Sequence, residues 1–238
     1  MKNHNVKYFF VTGTGTGVGK TIATAGLAAL FSSSGRKVAV MKPVQTGLCE
    51  SIGDLEVIRS IAPGLVRLPD KISCPYSFSL PASPALAASV ENKTISPAKI
   101  LAAYHKCISY PGIDTLLVEG AGGLMVPVKD RILMIDLISL LKIPAILVAD
   151  AGLGTLNHSL LSIEAMKRRK IRIAGIILNR MPKNPGVLEK DNIRTLERLS
   201  EIPVIAVIET INSPVKSARF ADELLSCLKA RKLVFQLI

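Results

Sequence analysis

The segment that most constrains this chain reads GTGTGVGKT at residues 13–21 and lies between an apolar, strand-like run and a helix-like stretch. Its glycines let successive backbone N–H groups face one anion, and a helix beginning near Lys20 adds the positive end of its dipole. Lys20 can then bridge the β- and γ-phosphates of a nucleotide, while the Thr21 hydroxyl ligates Mg²⁺. The segment therefore predicts a phosphate-binding P-loop.

The glycine spacing in this loop is a variant of the common pattern. Counting back from Gly19, the usual first glycine position holds Thr14, and Gly13 lies one residue earlier. A glycine-rich turn with an incidental Gly-Lys-Thr sequence is the alternative. The strand before the loop and the helix after it favour the nucleotide site.

Apolar, β-branched runs recur along the chain, at residues 8–11, 38–41, 115–118, 145–149, 173–178 and 204–208. Helix-like segments lie between them, beginning at Lys20, near Asp54 and near Ser83, and covering residues 96–107, 132–141, 156–169, 188–200 and 218–229. This alternation predicts an α/β fold of the P-loop NTPase type, with a mostly parallel sheet, helices on both faces and a single domain over residues 1–238. Residues 74–87, rich in Pro and Ser, are predicted to form a loop over the carboxyl edge of the sheet.

Hydrophobic residues make up 49% of the chain, which suits strands that are buried on both faces. No apolar run reaches the ~18 residues that a membrane-spanning helix needs. Residues 1–5 lead directly into the first strand without the apolar stretch of a signal peptide, so we expect a cytoplasmic location. The cysteines, Cys49, Cys74, Cys107 and Cys227, stand far apart and predict neither a zinc module nor a disulfide framework.

The net charge of +12 is the one feature that favours a nucleic-acid partner, and residues 167–170 form its densest cluster. These residues fall at the end of a predicted helix, where cations complement the helix dipole. No aromatic side chains are interleaved with them to stack on bases. We therefore expect no nucleic-acid partner.

Two acidic residues are candidates to complete a metal site beside the P-loop. Glu119 follows the run 115–118, so its carboxylate is expected at the carboxyl edge of a central strand, with a solvated loop carboxylate as the alternative. Asp54 lies in a polar, glycine-containing stretch and fits the N-cap of a helix as well as a metal ligand.

Three further polar residues are expected at the same edge of the sheet. Lys42 ends the second strand and can offset the charge of a transferring phosphoryl group, although a solvated lysine fits the spacing equally well. Thr46 can donate a hydrogen bond to a substrate. Asn179 closes the run 173–178, where its amide can contact a base edge or form a turn.

Taken together, these segments resemble the dethiobiotin synthetase family. The resemblance rests on an ordered set of stretches over residues 8–179: GTGTGVGKT at 13–21, KPVQTG at 42–47, PYSF at 75–78 with SP at 83–84, VEGAGG at 118–123, and GTLNH at 154–158. It implies an ATP- and Mg²⁺-dependent ligase that closes the ureido ring of dethiobiotin from 7,8-diaminopelargonate and CO₂. In that chemistry the diamine takes up CO₂ as a carbamate, ATP phosphorylates the carbamate, and the second amine displaces phosphate.

The resemblance also implies roles for individual residues and a homodimer with substrate at the subunit interface. Lys20 and Lys42 are the implied catalytic residues. The implied substrate contacts are Thr16, Thr46 and, from the second subunit, Asn157, and the implied metal ligands are Thr21, Asp54 and Glu119. The implied nucleotide-binding set is Gly17, Val18, Gly19, Lys20, Thr21, Ile22, Glu119, Gly120, Ala121, Gly122 and Asn179, with Asn179 contacting adenine.

The chain departs from the family pattern in two places. Gly15 and Gly17 stand where family members often carry acidic residues, so the contacts expected there are absent or supplied elsewhere. Beyond Asn179 the resemblance becomes faint, and residues 208–211 lack the proline expected on the adenine side. The phosphate side of the site is therefore predicted more firmly than the adenine side.

Two other functions compete with the ligase. A partitioning-type ATPase of the same superfamily, acting on nucleic acid or membrane, would account for the charge of +12. Such proteins usually carry a further lysine early in the P-loop, where this chain has glycine and threonine. An amide ligase of the cobyric acid synthesis type usually brings a glutaminase domain, for which 238 residues leave no room.

Overall fold

The computed structural model describes residues 7–49, 52–231, 234 and 237. The strands are β1 Lys7–Gly13, β2 Val38–Met41, β3 Thr115–Glu119, β4 Pro127–Lys129, β5 Ile132–Leu133, β6 Ala145–Asp150, β7 Ile173–Met181 and β8 Val204–Glu209. Six of them form one sheet in the order β2-β3-β1-β6-β7-β8, and every pairing in this sheet is parallel. Strands β4 and β5 form a separate antiparallel hairpin.

Helices cover both faces of the sheet, as parallel strands require. They are α1 Lys20–Ser33, α2 Asp54–Ile61, α3 Asp70–Ser73, α4 Pro84–Val90, α5 Pro97–Ile108, α6 Met134–Leu141, α7 Thr155–Arg168, α8 Val187–Ser200 and α9 Ala218–Ala230. Phe9 and Val11 of β1 pack into a core with α1, α2 and α9. Phe10, which points the other way, belongs to a second core built mainly with α4 to α8. The alternation within β1 thus separates two hydrophobic layers.

The predicted α/β fold with a mostly parallel sheet is confirmed, and all six predicted apolar runs are strands of that sheet. Two local predictions were wrong. The helix expected over residues 132–141 begins at Met134, because Ile132–Leu133 pairs with Pro127–Lys129 first. The loop expected over residues 74–87 ends at Ser83, where α4 begins, as the helix predicted to start near Ser83 requires. The Ser83 side chain caps α4 by accepting from the Leu86 N–H, with proline at the first helical position.

Four further predictions concern the basic cluster, the cysteines, membrane-spanning helices and the N-terminus. Residues 167–170 do lie at the end of α7, where Arg168 pairs with Glu164 and Arg169 pairs with Asp136. All four cysteines are unbridged. None of the helices in the described ranges is long and apolar enough to cross a membrane. Residues 1–5, on which the prediction about a signal peptide was based, lie outside the described residues.

The order of the strands in the sheet predicts where a ligand binds. Strand β1 lies between β3 and β6, so the connections that follow β1 and β3 leave the sheet on opposite sides. In open α/β sheets, ligands bind at such a switch point, outside the carboxyl ends of the strands. The loop of residues 14–19 leaves β1 at this point.

Candidate functional site

The P-loop joins the end of β1 to the first turn of α1. Gly17 and Gly19 adopt left-handed conformations with φ of 76° and 93°, which glycine tolerates without strain. The side chain of Lys20 folds back over the loop, and its Nζ donates to the Gly15 carbonyl at 2.7 Å. The loop thus encloses a cradle with a lysine ammonium at its rim.

The end of β7 holds this loop from behind. Asn179 is buried, and its Nδ2 donates to the Val18 carbonyl at 3.0 Å. Arg180 donates to the Gly17 carbonyl and pairs with Asp150 at 2.9 Å. These bonds occupy two P-loop carbonyls.

Gly19 is required where the P-loop meets β7. A Cβ on Gly19 would lie 1.9 Å from Asn179 Nδ2, a distance that no real contact allows. The clash is with a buried side chain that is itself hydrogen-bonded. Only glycine fits at this position.

Two strands and two helices bring four polar side chains together in front of the loop. Lys42, which follows β2, lies 2.6 Å from Asp54 Oδ2 and 2.7 Å from Glu119 Oε1 through its Nζ. The Thr21 hydroxyl is 3.0 Å from both Asp54 Oδ1 and Glu119 Oε1. Glu119 ends β3, so parallel pairing of β2 with β3 carries Lys42 and Glu119 to the same edge. Lys42 Nζ also donates to the Gly120 carbonyl at 3.0 Å.

Burial and charge act in opposite senses on the two lysines. Burial, together with the positive charge of Lys42, lowers the pKa of Lys20 from 10.5 to about 8, against the attraction of Glu119 and Asp54. Burial alone would also lower the pKa of Lys42, but the carboxylates of Glu119 and Asp54 outweigh it and raise that pKa. For Asp54, burial is outweighed by Lys42, and the pKa of this carboxyl is lowered. Both lysines therefore carry a positive charge at neutral pH, and Asp54 a negative one.

The donor set beside Lys42 suits Mg²⁺. Asp54, Glu119 and Thr21 supply two carboxylates and a hydroxyl, the hard oxygen ligands that Mg²⁺ prefers. Glu119 is fully buried, and its Oε2 has no hydrogen-bond partner among the described residues, which marks an atom with unused acceptor capacity. The described ranges contain no cluster of three or more His, Cys, Asp or Glu side chains that would form a protein-only metal cage. Two carboxylates supplemented by nucleotide phosphates are the usual arrangement for this ion.

A cleft of about 740 Å³ opens in front of these groups. Most residues that the sequence singled out line it: Thr16, Gly17, Gly19, Lys20, Thr21, Lys42, Thr46, Asp54, Glu119, Ala121 and Gly122. Val18 and Gly120 lie in the same loops, and Ile22 in the first turn of α1, but none of the three lines the cleft. The loop that follows β3 approaches the P-loop closely, because a Cβ on Gly123 would be 3.3 Å from Gly15 Cα.

Two predicted contact residues lie apart from the cleft. Asn179 faces the rear of the P-loop, where its amide is bonded to Val18. Asn157 is exposed on the first turn of α7 and does not line the cleft of its own chain. Its predicted role requires a second subunit.

Some residues of the cleft were not predicted as site residues. Gln45, Gly47 and Val126 line it, as do residues 81–84, which come from the segment expected to cover the carboxyl edge. Gln45 stands inside the KPVQTG stretch at residues 42–47, so its position in a conspicuous motif was available as a signal. Val126 carried no signal, because its place in the cleft depends on the turn that leads to β4.

Comparisons with known proteins give a consistent result. The family described as an AAA domain matches residues 7–217. The ATP-dependent dethiobiotin synthetase of Anoxybacillus flavithermus is 38% identical over 209 residues, which cover 85% of this chain and 91% of that protein. The biotin biosynthesis bifunctional protein of Bordetella avium is 40% identical over 206 residues, which cover 85% of this chain but 39% of that longer protein.

A solved structure supports the fold independently. The MinC:MinD cell division protein complex of Aquifex aeolicus contains a chain that matches with a TM-score of 0.60, over 97% of this chain and 94% of that one. The two chains are 13% identical in sequence. The likeness therefore concerns the P-loop α/β architecture alone.

Proposed function

The chain belongs to the ATP-dependent dethiobiotin synthetase family of biotin biosynthesis, and from this premise we propose that it closes the ureido ring of dethiobiotin from 7,8-diaminopelargonate and CO₂. The observation that carries the proposal is the convergence of Lys20, Lys42, Thr21, Asp54 and Glu119 on one cleft. This set combines two cations with oxygen ligands for a metal. An anionic nucleophile that attacks an anionic phosphate needs both.

The proposed reaction has three bond-forming steps. One amine of the substrate adds to CO₂ and loses a proton, giving a carbamate. A carbamate oxygen then attacks the γ-phosphorus of ATP, and ADP leaves, so that a mixed carbamic-phosphoric anhydride forms. The second amine attacks the carbonyl carbon of this anhydride, loses a proton and expels phosphate as the five-membered ring closes.

Charge neutralisation is the main contribution of the protein in this scheme. Lys20, at the rim of the P-loop, and Lys42, beneath the cleft, are placed to stabilise the crowded negative charge of the phosphoryl transfer. Both are buried, so their field is weakly screened by solvent. Thr21, Asp54 and Glu119 would hold Mg²⁺, which neutralises phosphate charge when bound.

The remaining contacts in this proposal concern orientation. Thr16 and Thr46 line the cleft and would donate hydrogen bonds to the substrate. The nucleotide would lie along the P-loop and the loop after Glu119, with its adenine extending to the side of the P-loop where Asn179 lies. A cytoplasmic location and the absence of nucleic-acid and membrane partners are part of the same proposal.

We also propose that the enzyme is a homodimer in which Asn157 reaches the substrate of the partner subunit. Asn157 is exposed at the start of α7, and two apolar side chains near it, Leu153 and Leu161, are 89% and 58% exposed. Leu153 lies just before α7 and Leu161 lies within it. Exposed apolar side chains that lie close together are typical of an interface.

Mixing Lys20→Ala with Asn157→Ala protein tests this arrangement. Each mixed dimer would contain one intact site, and random exchange should restore about a quarter of the wild-type activity. A mixture that forms mixed dimers but stays inactive would argue against a shared site.

The ligase itself is tested by phosphate release from MgATP in the presence of bicarbonate and 7,8-diaminopelargonate, with dethiobiotin identified by mass spectrometry. Wild-type release should require the diamine. Lys42→Ala should reduce it by about 10²- to 10³-fold, the usual effect of removing a group that stabilises transition-state charge. Lys37→Ala is the matched control, because Lys37 is exposed and precedes β2 at its amino end.

One outcome of the phosphate-release assay would contradict the proposed ligase activity and favour a different function. Phosphate release that ignores the diamine but rises with DNA or lipid vesicles would contradict the ligase. It would favour the partitioning-type ATPase, for which the net charge of +12 is the sequence evidence.

A further inference from the structure

We infer that Gln45 is a positioning residue that fixes Asp54 for metal binding, an inference that rests on the proposed function. The Gln45 side chain lies between Thr46, which also lines the cleft, and Asp54, the first residue of α2. Its Oε1 accepts from the Asp54 backbone N–H at 3.0 Å, and its Nε2 donates to the Thr46 carbonyl at 2.8 Å. The bond to Thr46 sets the orientation of the amide, so the oxygen faces Asp54.

The bond to Asp54 meets a specific need of helix α2. The first N–H groups of a helix have no partner within the helix, and a preceding polar side chain usually satisfies one of them. The residue before α2 is Gly53, which has no side chain to do so. Gln45, nine positions earlier in the sequence, supplies the missing acceptor.

Gln45 can serve as a reference point because its own backbone is fixed. The Gln45 N–H donates to the Tyr76 carbonyl, and the Gln45 carbonyl accepts from the Phe78 N–H, both at 2.9 Å. The residue is 7% exposed, whereas the Asp54 side chain is 29% exposed. A rigid, buried residue therefore holds a more accessible one.

The position of Asp54 matters for the metal because both of its oxygens are used. One contacts Thr21 and the other contacts Lys42. A displacement of the helix start would separate Asp54 from Thr21, another of the three proposed metal ligands. Groups that orient metal ligands from outside the coordination shell typically change metal affinity by about 10- to 100-fold when they are removed.

The experiment measures Mn²⁺ binding by electron paramagnetic resonance, with ADP present, for four proteins: wild type, Gln45→Met, Gln45→Glu and Asp54→Asn. Gln45→Met keeps the length of the side chain but removes its polar atoms, and it should raise the Mn²⁺ dissociation constant by about 10- to 100-fold. Gln45→Glu keeps an acceptor oxygen for the Asp54 N–H but loses the donor to Thr46, so it should retain more Mn²⁺ binding than Gln45→Met. Loss of binding in Gln45→Glu equal to that in Gln45→Met would overturn the inference.

A second control separates positioning from simple helix capping. Ser96 caps α5 by accepting from the Lys99 N–H at 3.3 Å, away from the cleft. Ser96→Ala and Gln45→Met should each lower Tm by about 2–4 °C, but only Gln45→Met should weaken Mn²⁺ binding. Unchanged Mn²⁺ affinity in Gln45→Met would show that Gln45 is a cap alone.

The Asp54→Asn protein distinguishes failure of this inference from failure of the proposed function. If Asp54→Asn weakens Mn²⁺ binding and Gln45→Met does not, only the role of Gln45 is wrong. If neither change affects Mn²⁺ binding, the metal site itself is wrong. If Gln45→Met leaves Mn²⁺ binding intact but raises the KM for the diamine, Gln45 contacts substrate, which also overturns the inference.

Discussion

Replacing Lys20 with methionine should make the ligand-free protein more stable while abolishing its activity. Lys20 is 7% exposed, and its pKa is lowered from 10.5 to about 8 mainly by burial. Since one pKa unit corresponds to about 1.4 kcal/mol, keeping this lysine charged in the folded state destabilises the protein by about 3 kcal/mol at pH 7. Methionine has a similar length and no charge.

The hydrogen bond from Lys20 to Gly15 works against this gain. It measures 2.7 Å, and because its donor is charged, its loss costs about 1.5–2 kcal/mol. The net expectation at pH 7 is that Lys20→Met raises the free energy of unfolding by about 1–2 kcal/mol. Urea denaturation of the two proteins measures this difference.

The difference in stability between Lys20→Met and the wild type should also depend on pH. Because the folded pKa of Lys20 lies below its unfolded value, the destabilisation is complete below about pH 8 and disappears as the pH rises toward 10.5. The advantage of Lys20→Met should therefore shrink between pH 8 and pH 10.

Two further measurements test whether the effect is specific to the charge of Lys20. Saturating MgADP should stabilise the wild type but not Lys20→Met, which would reverse their order. The same substitution at Lys42 should have the opposite effect in the ligand-free protein, because the pKa of Lys42 is raised rather than lowered. A Lys20→Met protein that is less stable than wild type at pH 7, or whose advantage does not change with pH, would show that the charge of Lys20 does not destabilise the fold.

Three other predictions follow from the same contacts. Lys42→Met leaves the buried Glu119 carboxylate without its cation and should destabilise the protein by about 3–5 kcal/mol in urea denaturation; adding Glu119→Gln should recover part of that loss. Gly19→Ala should abolish ADP binding in calorimetric titration, whereas Gly15→Ala, whose Cβ would meet nothing within 4 Å, should keep Tm near that of the wild type. The ADP dissociation constant should rise above about pH 8, by up to about tenfold per pH unit, because Lys20 binds phosphate in its charged form; a flat profile in the wild type would contradict this.

The local pattern of the sequence predicted the architecture well. Each apolar run became a strand of the sheet, and the P-loop glycines lie where a strand gives way to a helix. These features depend on neighbours within a few residues, so they can be read from composition and spacing. Where two local signals competed, as at Ile132–Leu133, the pairing of a hairpin decided the outcome.

The expectation that polar residues gather at one edge also followed from the sequence, because the carboxyl ends of parallel strands meet there. For Lys42, the sequence left a solvated surface lysine as an equal alternative. The structure buries this lysine against Asp54 and Glu119. That choice depends on contacts between residues 77 positions apart, which no local pattern contains.

Glycine spacing, strand periodicity and side-chain chemistry are local properties, so the sequence was enough to predict the fold class and the phosphate-binding loop and to propose a set of residues for a nucleotide and a metal. The contacts between these residues depend on how distant segments pack in the folded chain. This packing paired Lys42 with two carboxylates, bonded Asn179 to the rear of the P-loop, and gave Gln45 the start of α2 as its partner. Such contacts arise when strands and helices distant in the chain pack around a common core, and their burial sets the charges on which the proposed chemistry depends.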